Sequence, residues 1–238
     1  GLGLYADVIA EIDDSVGKIL RTLDHLDLAK NTLVIFTSDN GPWLSYGDHG
    51  GSTGSLREGK GTSFEGGVRV PCVMRWPGRI PAESESDQPL MTIDLLPTIA
   101  AITGATPPEL PIDGKDVTAF LTGDPQIPNE RPYFFYYGAE LQAVRQGPWK
   151  LHLPHGYFSI IEPGKDGNPG RAEGRRTDLV LFNLEQDIGE KKNLSREHSD
   201  VVARLTKLAE GMRQELGDSA VGVKGAAVRE PGRLPNGE

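Results

Sequence analysis

The feature that most constrains the fold is the stretch from Thr32 to Gly67. An apolar run rich in β-branched residues, 33–37, ends abruptly in Ser38-Asp39-Asn40-Gly41-Pro42. A glycine-rich loop follows and carries Lys60 and Glu65. In open α/β sheets, ligands bind beyond the carboxyl ends of the strands, because loops converge there while the sheet stays rigid. The stretch therefore predicts a buried strand that presents polar groups to a site at its carboxyl end.

Composition excludes several classes of protein. With 238 residues, of which 37% are hydrophobic, the chain can bury a core. A formal net charge of -9 argues against a general nucleic-acid binder, which needs clustered Lys and Arg. The single cysteine, Cys72, excludes an intrachain disulfide and a multi-cysteine metal site, and we expect it to be a small buried hydrophobe. No apolar run approaches the ~18 residues of a membrane span.

The first part of the chain predicts an α/β domain over residues 1–106. Apolar residues between Tyr5 and Leu23 recur at three- and four-residue steps, which indicates an amphipathic helix. The run 33–36 has no alternation, which is typical of a strand buried on both faces of a parallel sheet. A second strand is expected over 70–76. A helix follows over 94–103, with Asp94 as its N-cap and Gly104 closing it.

The later part predicts a smaller subdomain over residues 132–216. A proline-rich linker, 107–131, precedes it and carries a short helix near 117–121. Aromatic-rich runs at 133–137, 141–145, 149–153 and 179–184 indicate an antiparallel sheet, and an apolar stripe over 201–216 indicates a helix that covers it. We expect a mobile excursion at 162–178 and a disordered tail at 217–238.

The Asp39-Asn40 pair offers a carboxylate and an amide oxygen at the strand end. Such hard oxygen ligands suit Ca²⁺ or Mg²⁺ better than Zn²⁺. The two residues supply too few oxygens for Ca²⁺, so further ligands must come from elsewhere. Asp-Asn-Gly-Pro is also a turn signature, and the dipeptide alone favours that interpretation.

Lys60 lies between Gly59 and Gly61, which allow the backbone to approach an anion closely. An ammonium group there can contact a phosphate or sulfate oxygen and stabilise charge that develops on it. The surrounding residues do not match a phosphate-binding Walker sequence.

Taken together, these motifs resemble the sulfatase family of the alkaline phosphatase superfamily. The resemblance is carried by VIFTSDNG at 34–41 and LREGKGTSFEGGVRVP at 56–71, then by shorter matches at 76–78, 94–98, 113–114, 149–151, 181–184 and 190–194. It implies an α/β fold: the C-terminal part of an alkaline-phosphatase-like mixed sheet with flanking helices, plus a small antiparallel-sheet-and-helix subdomain. It also implies a periplasmic or secreted protein that acts on a sulfated small molecule or glycan.

The resemblance assigns roles to three residues. Asp39 and Asn40 would be two ligands of a single Ca²⁺, with Mg²⁺ less expected, and Lys60 would bind the sulfate group. In sulfatases the nucleophile is a formylglycine hydrate made from Cys or Ser within Cys/Ser-X-Pro-X-Arg. That motif does not occur here, since Cys72 is followed by Val73-Met74-Arg75. We therefore expect the C-terminal half of a sulfatase, inactive when isolated.

Three histidines are further candidates for the substrate pocket. Asp48-His49-Gly50 is similar to a ligand motif of two-metal phosphatases, but it lies deep in a polar loop, so we expect His49 to line the pocket rather than to bind metal. His152 and His155 follow a strand of the second domain, and one of them is expected to reach the sulfate or leaving group. Placement of His152 inside the small sheet is the alternative.

Two other functions remain open from the sequence. A phosphodiesterase or phosphonate hydrolase of the same superfamily can share most of the fold, although Asn40 rather than His disfavours the two-metal enzymes. A sulfatase-like module that binds sulfated glycans without catalysis is the other alternative. The sequence predicts no oligomeric state.

Overall fold

Two units make up the chain, and their boundary does not follow sequence order. The computed structural model describes residues 3–124 and 131–230. The described part of the first unit comprises residues 3–37 and 71–124, and that of the second comprises 38–70 and 131–230. The sequence had placed the loop after residue 37 in a first domain of 1–106. The structure groups that loop with the C-terminal sheet, to which buried hydrogen bonds and ion pairs join it.

The described residues form five α-helices and eight strands. The helices are α1 (Leu4–His25), α2 (Glu65–Val68), α3 (Leu95–Thr103), α4 (Thr118–Leu121) and α5 (Ser199–Leu216). The strands are β1 (Val34–Thr37), β2 (Cys72–Arg75), β3 (Pro132–Tyr137), β4 (Glu140–Gln146), β5 (Trp149–His152), β6 (His155–Glu162), β7 (Arg171–Thr177) and β8 (Val180–Asn183). Residues 125–130 of the predicted linker lie outside the described part of the chain.

In the first unit, α1 confirms the predicted amphipathic helix, although none of its residues is buried. β1 pairs antiparallel with β2, so the expectation of a parallel strand covered on both faces is wrong for the described residues. Phe36 is exposed because β2 is the one described strand that pairs with β1. Cys72, expected to be buried, is exposed for the same reason. None of the described helices combines the length and apolar character of a membrane span.

Helix α3 confirms the predicted helix, and Gly104 closes it in a left-handed conformation at φ 70°. Asp94 does not cap α3 with its side chain. Its buried carboxylate instead accepts hydrogen bonds from the backbone N–H groups of Met91 and Lys115, at 3.0 and 2.9 Å. Asp94 thus connects the start of α3 to the segment that precedes α4.

In the second unit, a four-stranded antiparallel sheet has the order β3-β4-β5-β8 and is covered by α5, as predicted. Leu205 and Ala209 of α5 pack with Leu141, Leu151 and Leu181 of the sheet. These side chains are fully or almost fully buried because alternate positions of each strand face the helix.

The predicted mobile excursion at 162–178 is an ordered hairpin instead. β7 pairs antiparallel with β6 over most of its length, and a bridge between Lys165 and Asn168 closes the turn. Six of the seven residues of β7 are exposed, so the strand has no apolar alternation by which the sequence could reveal it.

Part of the predicted disordered tail is also ordered. The Asp218 side chain is buried and accepts hydrogen bonds from the Leu141 N–H at 3.2 Å and the Arg213 Nε at 2.8 Å. The Ser219 N–H donates to the carbonyl of Ala139. The Asp218 carboxylate and backbone hydrogen bonds from Ala226 and Ala227 to the end of α5 therefore hold residues 217–227 against β4 and α5. Residues 231–238 lie outside the described part of the chain.

The packing of α5 makes a direct prediction. Truncation of Leu205, which is completely buried, should lower the free energy of unfolding by about 2–5 kcal/mol in the variant Leu205→Ala. Urea unfolding monitored by fluorescence measures this. The control, Lys207→Ala, changes an exposed residue of the same helix and should cost at most about 0.5 kcal/mol. Equal effects of the two variants would contradict the described core.

Candidate active site

The loop after β1 folds back onto its own beginning. The Gly41 N–H donates to the carbonyl of Gly67, and the Lys60 N–H donates to the carbonyl of Pro42, both at 3.0 Å. These bonds place the backbone of Lys60 against the segment that directly follows Asn40. The structure thus brings Lys60 and the Asp39-Asn40 pair to the same end of the loop.

Glycines make this close backbone packing possible. A Cβ atom at Gly41 would collide with the carbonyl of Gly66, and one at Gly66 would collide with the carbonyl of Glu58. Any larger residue at these two positions would force the backbone segments apart. The glycine content that suggested a long loop in the sequence therefore reflects tight internal contacts.

Asp39 and Asn40 keep their side-chain oxygens available. The Asp39 side chain is exposed, and neither it nor the Asn40 side chain hydrogen bonds to a described residue. The Ser38 hydroxyl donates to the backbone carbonyl of Asn40 at 3.0 Å, which fixes the turn. The donor set fits part of a Ca²⁺ site, because Ca²⁺ requires six to eight oxygens. Within residues 3–124 and 131–230, no group of three or more His, Cys, Asp or Glu side chains is arranged to hold a metal.

The Lys60 ammonium group is exposed and lies over the Trp43 ring, 5.2 Å from its centroid. This cation–π contact limits the positions that the flexible side chain adopts. No carboxylate of the described residues pairs with Lys60. The positive charge is therefore available to an anion.

A buried ionic cluster anchors the loop to the sheet of the second unit. Lys150 on β5 lies at its centre, with Nζ at 2.8 Å from Glu65 Oε1 and 3.3 Å from Glu190 Oε1. Glu190 Oε2 also accepts a hydrogen bond from the Glu65 N–H at 2.7 Å, and its Oε1 lies 2.9 Å from His152 Nε2. Arg145 approaches Glu65 at 3.6 Å. We call Glu65, Arg145, Lys150, His152 and Glu190 the ionic cluster.

Aromatic contacts surround the ionic cluster. The fully buried Phe64 ring stacks on the His152 ring, with centroids 4.4 Å apart. The Arg57 guanidinium lies over the Phe64 ring, 4.0 Å from its centroid. Arg57 also donates to the carbonyl of Glu190 at 2.8 Å. Both ends of the 57–65 segment, which contains Lys60, are thus held by buried contacts.

The cluster sets the protonation states of its members. Burial lowers the pKa of His152 to about 4, although the hydrogen bond to Glu190 opposes this shift. Burial would raise the pKa of Glu190, but Lys150 and His152 outweigh it and hold that pKa below its usual value. At neutral pH the cluster therefore contains a neutral imidazole and an ionised Glu190.

Two of the three candidate histidines are buried. His152 and His155 have side chains that are 0% and 1% exposed, so the expected substrate contact is not supported by their positions. The His152 ring contacts Phe64 and Phe182, and the His155 ring lies 5.5 Å from the His152 ring. His49 is half-buried in the 3₁₀ segment Leu44–His49 and lies near Gly167 of the β6–β7 turn.

Sequence reasoning missed Lys150 and Glu190 as structural partners of the loop. Arg57 and Glu65 fix the loop, through the Glu190 carbonyl and the Lys150 ammonium group respectively. One signal was present: Lys150 interrupts an otherwise apolar and aromatic strand. A lysine at such a position requires a buried carboxylate, but the pattern does not reveal which one.

Acidification tests the buried state of His152. Because its folded pKa of about 4 lies below the ~6.5 of an unfolded imidazole, the unfolded chain binds more protons between these values, and stability falls as pH drops through this window. From pH 7.5 to pH 5 the native chain should lose about 2 kcal/mol more unfolding free energy than His152→Gln. Urea titrations at both pH values measure the difference. The control His25→Gln changes an exposed histidine and should behave like the native chain; identical losses in all three would contradict the buried neutral imidazole.

Two family models match successive parts of the chain. A family model described as Sulfatase matches residues 1–105, and one described as the C-terminal region of aryl-sulfatase matches residues 128–230. N-acetylgalactosamine-6-sulfatase of Mus musculus is 39% identical over 230 residues, covering 90% of this chain and 44% of the relative. Arylsulfatase A of Homo sapiens is 37% identical over 204 residues, covering 82% and 39%. The chain thus spans less than half the length of these relatives.

Solved structures also match this chain over less than half of their own length. The PsFucS1 sulfatase from Pseudoalteromonas sp. superposes with a TM-score of 0.74 at 29% identity, covering 87% of this chain and 41% of that protein. The structure of Ps i-CgsB in complex with k-i-k-neocarrahexaose superposes with a TM-score of 0.68 at 28% identity, covering 87% and 42%. These neighbours have the alkaline-phosphatase-like fold that the sequence predicts. The chain belongs to the sulfatase family.

Proposed function

We propose that this chain forms part of the active site of a sulfatase, in which Lys60 binds the sulfate group of a sulfate ester. The observation that carries the proposal is the exposed Lys60 ammonium group on a loop that buried contacts hold beside Asp39 and Asn40. An ammonium group in a fixed position stabilises negative charge without first having to reorganise. Membership of the sulfatase family supports sulfate as the anion.

Asp39 and Asn40 are proposed to hold a Ca²⁺ ion together with oxygens that other residues supply. Their unpartnered side-chain oxygens support this assignment. A bound Ca²⁺ ion would supply positive charge next to the sulfate oxygens. Mg²⁺ is less suitable because it demands a near-ideal octahedral arrangement and retains several waters.

Within this chain, Lys60 donates hydrogen bonds to sulfate oxygens and attracts the negative charge that the transferred group carries. Trp43 keeps the ammonium group from extending freely into solvent. The ionic cluster acts indirectly: it keeps the loop folded, so that Lys60 is in position before the substrate arrives.

The nucleophile is proposed to come from residues outside these 238. The sequence contains no Cys-X-Pro-X-Arg or Ser-X-Pro-X-Arg segment, and the matched relatives are more than twice as long as the region they share with this chain. In this proposal the nucleophile is a formylglycine, and the isolated chain does not hydrolyse sulfate esters.

A carbohydrate sulfate is the proposed substrate class, with an aryl sulfate as a model substrate. N-acetylgalactosamine-6-sulfatase is among the relatives, and the structure of Ps i-CgsB was solved in complex with k-i-k-neocarrahexaose. Both names point to sugars.

Replacement of Lys60 tests the proposal. In a polypeptide that joins this chain to a segment with the nucleophile motif, Lys60→Ala should lower kcat/KM for p-nitrophenyl sulfate by about 10²–10³-fold, because one preorganised charge contact is lost. Lys207→Ala removes an exposed lysine of α5 and should leave kcat/KM unchanged.

Two results would contradict the proposal. One is a Lys60→Ala enzyme with the same kcat/KM as the parent. The other is measurable p-nitrophenyl sulfate hydrolysis by the isolated 238-residue chain, which would mean that the nucleophile lies within it.

A further inference from the structure

A cleft of about 260 Å³ lies against the hairpin of β6 and β7 in the second unit. Gly61, the residue that directly follows Lys60, is part of its lining. We call it the hairpin cleft. The lining residues that matter below are Gly61, Tyr137, Gly156, Phe158, Gly174 and Arg175.

Glycines keep the floor of the hairpin cleft open. Gly174 lies directly across from Phe158 in the β6–β7 register. A Cβ atom at Gly174 would have no neighbour within 4 Å, and one at Gly156 would meet the carbonyl of Arg175 at 3.8 Å. Packing therefore does not require glycine here, in contrast to Gly41 and Gly66. Glycine within a strand often marks a place where a ligand approaches the backbone.

Aromatic rings border this floor. Phe158 is 67% exposed and Tyr137 is 53% exposed, although large aromatic side chains are usually buried. The C–H face of a pyranose ring is apolar, and its slightly positive hydrogens are attracted to the negative face of an aromatic ring. Two exposed rings beside an open floor are therefore suited to a sugar ring.

The hairpin carries four Lys and Arg side chains and three Asp and Glu side chains, whereas the whole chain carries a net charge of -9. Arg175 lies across from Tyr157, so its side chain is on the face opposite Phe158, where its Nε lies 3.1 Å from Glu173. Arg176 is exposed and lies across from Gly156, which places its side chain on the face of Phe158 and Gly174. A guanidinium group presents paired donors that match a sulfate or carboxylate group.

We infer that the hairpin cleft binds one sugar ring of a sulfated oligosaccharide, next to the sugar whose sulfate lies at Lys60. Phe158 and Tyr137 contact the face of the ring, and Arg176, which lies on the same face of the hairpin as Phe158, contacts its anionic substituent. The cleft is slightly smaller than the ~300–1,000 Å³ typical of sites for drug-sized ligands, which suits a single ring. The inference rests on the proposed function, and it adds an oligosaccharide subsite to it.

Calorimetric binding to the purified 238-residue chain tests the inference without catalysis. The probes are a tetrasaccharide that contains N-acetylgalactosamine 6-sulfate and its desulfated form. The native chain should bind the sulfated probe, and Phe158→Ala and Arg176→Gln should each weaken binding about fivefold to tenfold. Arg171→Gln removes a charge from the same strand outside the cleft and should bind like the native chain. Desulfation removes the sulfate at Lys60 as well as the one at Arg176, so it should weaken binding to the native chain more than Arg176→Gln does.

Three outcomes would overturn the inference: no binding by the native chain at millimolar probe, unchanged binding by both cleft variants, or equal binding of the two probes. Thermal melts of each variant exclude misfolding, and none is expected because Phe158 and Arg176 are exposed.

Kinetics then separate this inference from the proposed function. In the joined polypeptide, Phe158→Ala should raise KM for the sulfated tetrasaccharide and leave kcat/KM for p-nitrophenyl sulfate unchanged. A loss of both activities in Lys60→Ala with no effect of Phe158→Ala would support the proposed function and refute the hairpin cleft.

Discussion

The ion pair between Lys150 and Glu65 is the interaction on which the position of the Lys60 loop depends. Both side chains are almost completely buried, and 85 residues separate them in the chain. Burial of charges costs several kcal/mol for each ion unless close partners compensate. Here Glu190, Arg145 and backbone groups supply those partners, so the charges are stable only when the loop and the sheet are assembled together. The cluster therefore specifies one position for the loop.

One short segment contains both the residues that hold the loop in place and the residue proposed to bind an anion. Phe64 and Glu65 face the interior, where they stack on His152 and pair with Lys150. Lys60, only four residues before Phe64, is exposed beside Trp43. Gly41 and Gly66 allow the close backbone packing that brings these ends together, so that the proposed anion-binding group lies on a fixed backbone. His152 is part of the buried cluster that holds the loop.

Much of the fold could be predicted from the sequence because its elements have strong local signals. The apolar stripe of α5 and the aromatic runs of β3, β4, β5 and β8 follow helix and strand periodicity, and the structure confirms them. β7 could not be predicted, because both of its faces are exposed and it carries charge where a buried strand would carry apolar residues. Residues 217–227 are held by the Asp218 carboxylate and by backbone hydrogen bonds to β4 and α5, none of which gives a periodic signal in the sequence.

The candidate site could also be predicted only in part. Its residue types and their order pointed to Asp39, Asn40 and Lys60, and the hydrogen bond from the Lys60 N–H to the Pro42 carbonyl brings these segments together. The roles of Glu65, Lys150 and Glu190 depend on pairing across long sequence separations, which one sequence does not encode in any local pattern. The hairpin cleft was hidden for the further reason that its floor belongs to β7, which the sequence did not reveal.

Hydrogen exchange in Glu65→Gln tests the central claim, that the ionic cluster holds the Lys60 loop in place. This variant keeps the shape of the side chain and removes the charge that pairs with Lys150. Amides of residues 58–67 should exchange at least about tenfold faster, because local opening of the loop becomes easier, while those of α5 keep their protection. The control Glu210→Gln removes an exposed carboxylate of α5 and should leave the loop unchanged. Unchanged exchange over 58–67 in Glu65→Gln, or an equal increase throughout α5, would contradict the account.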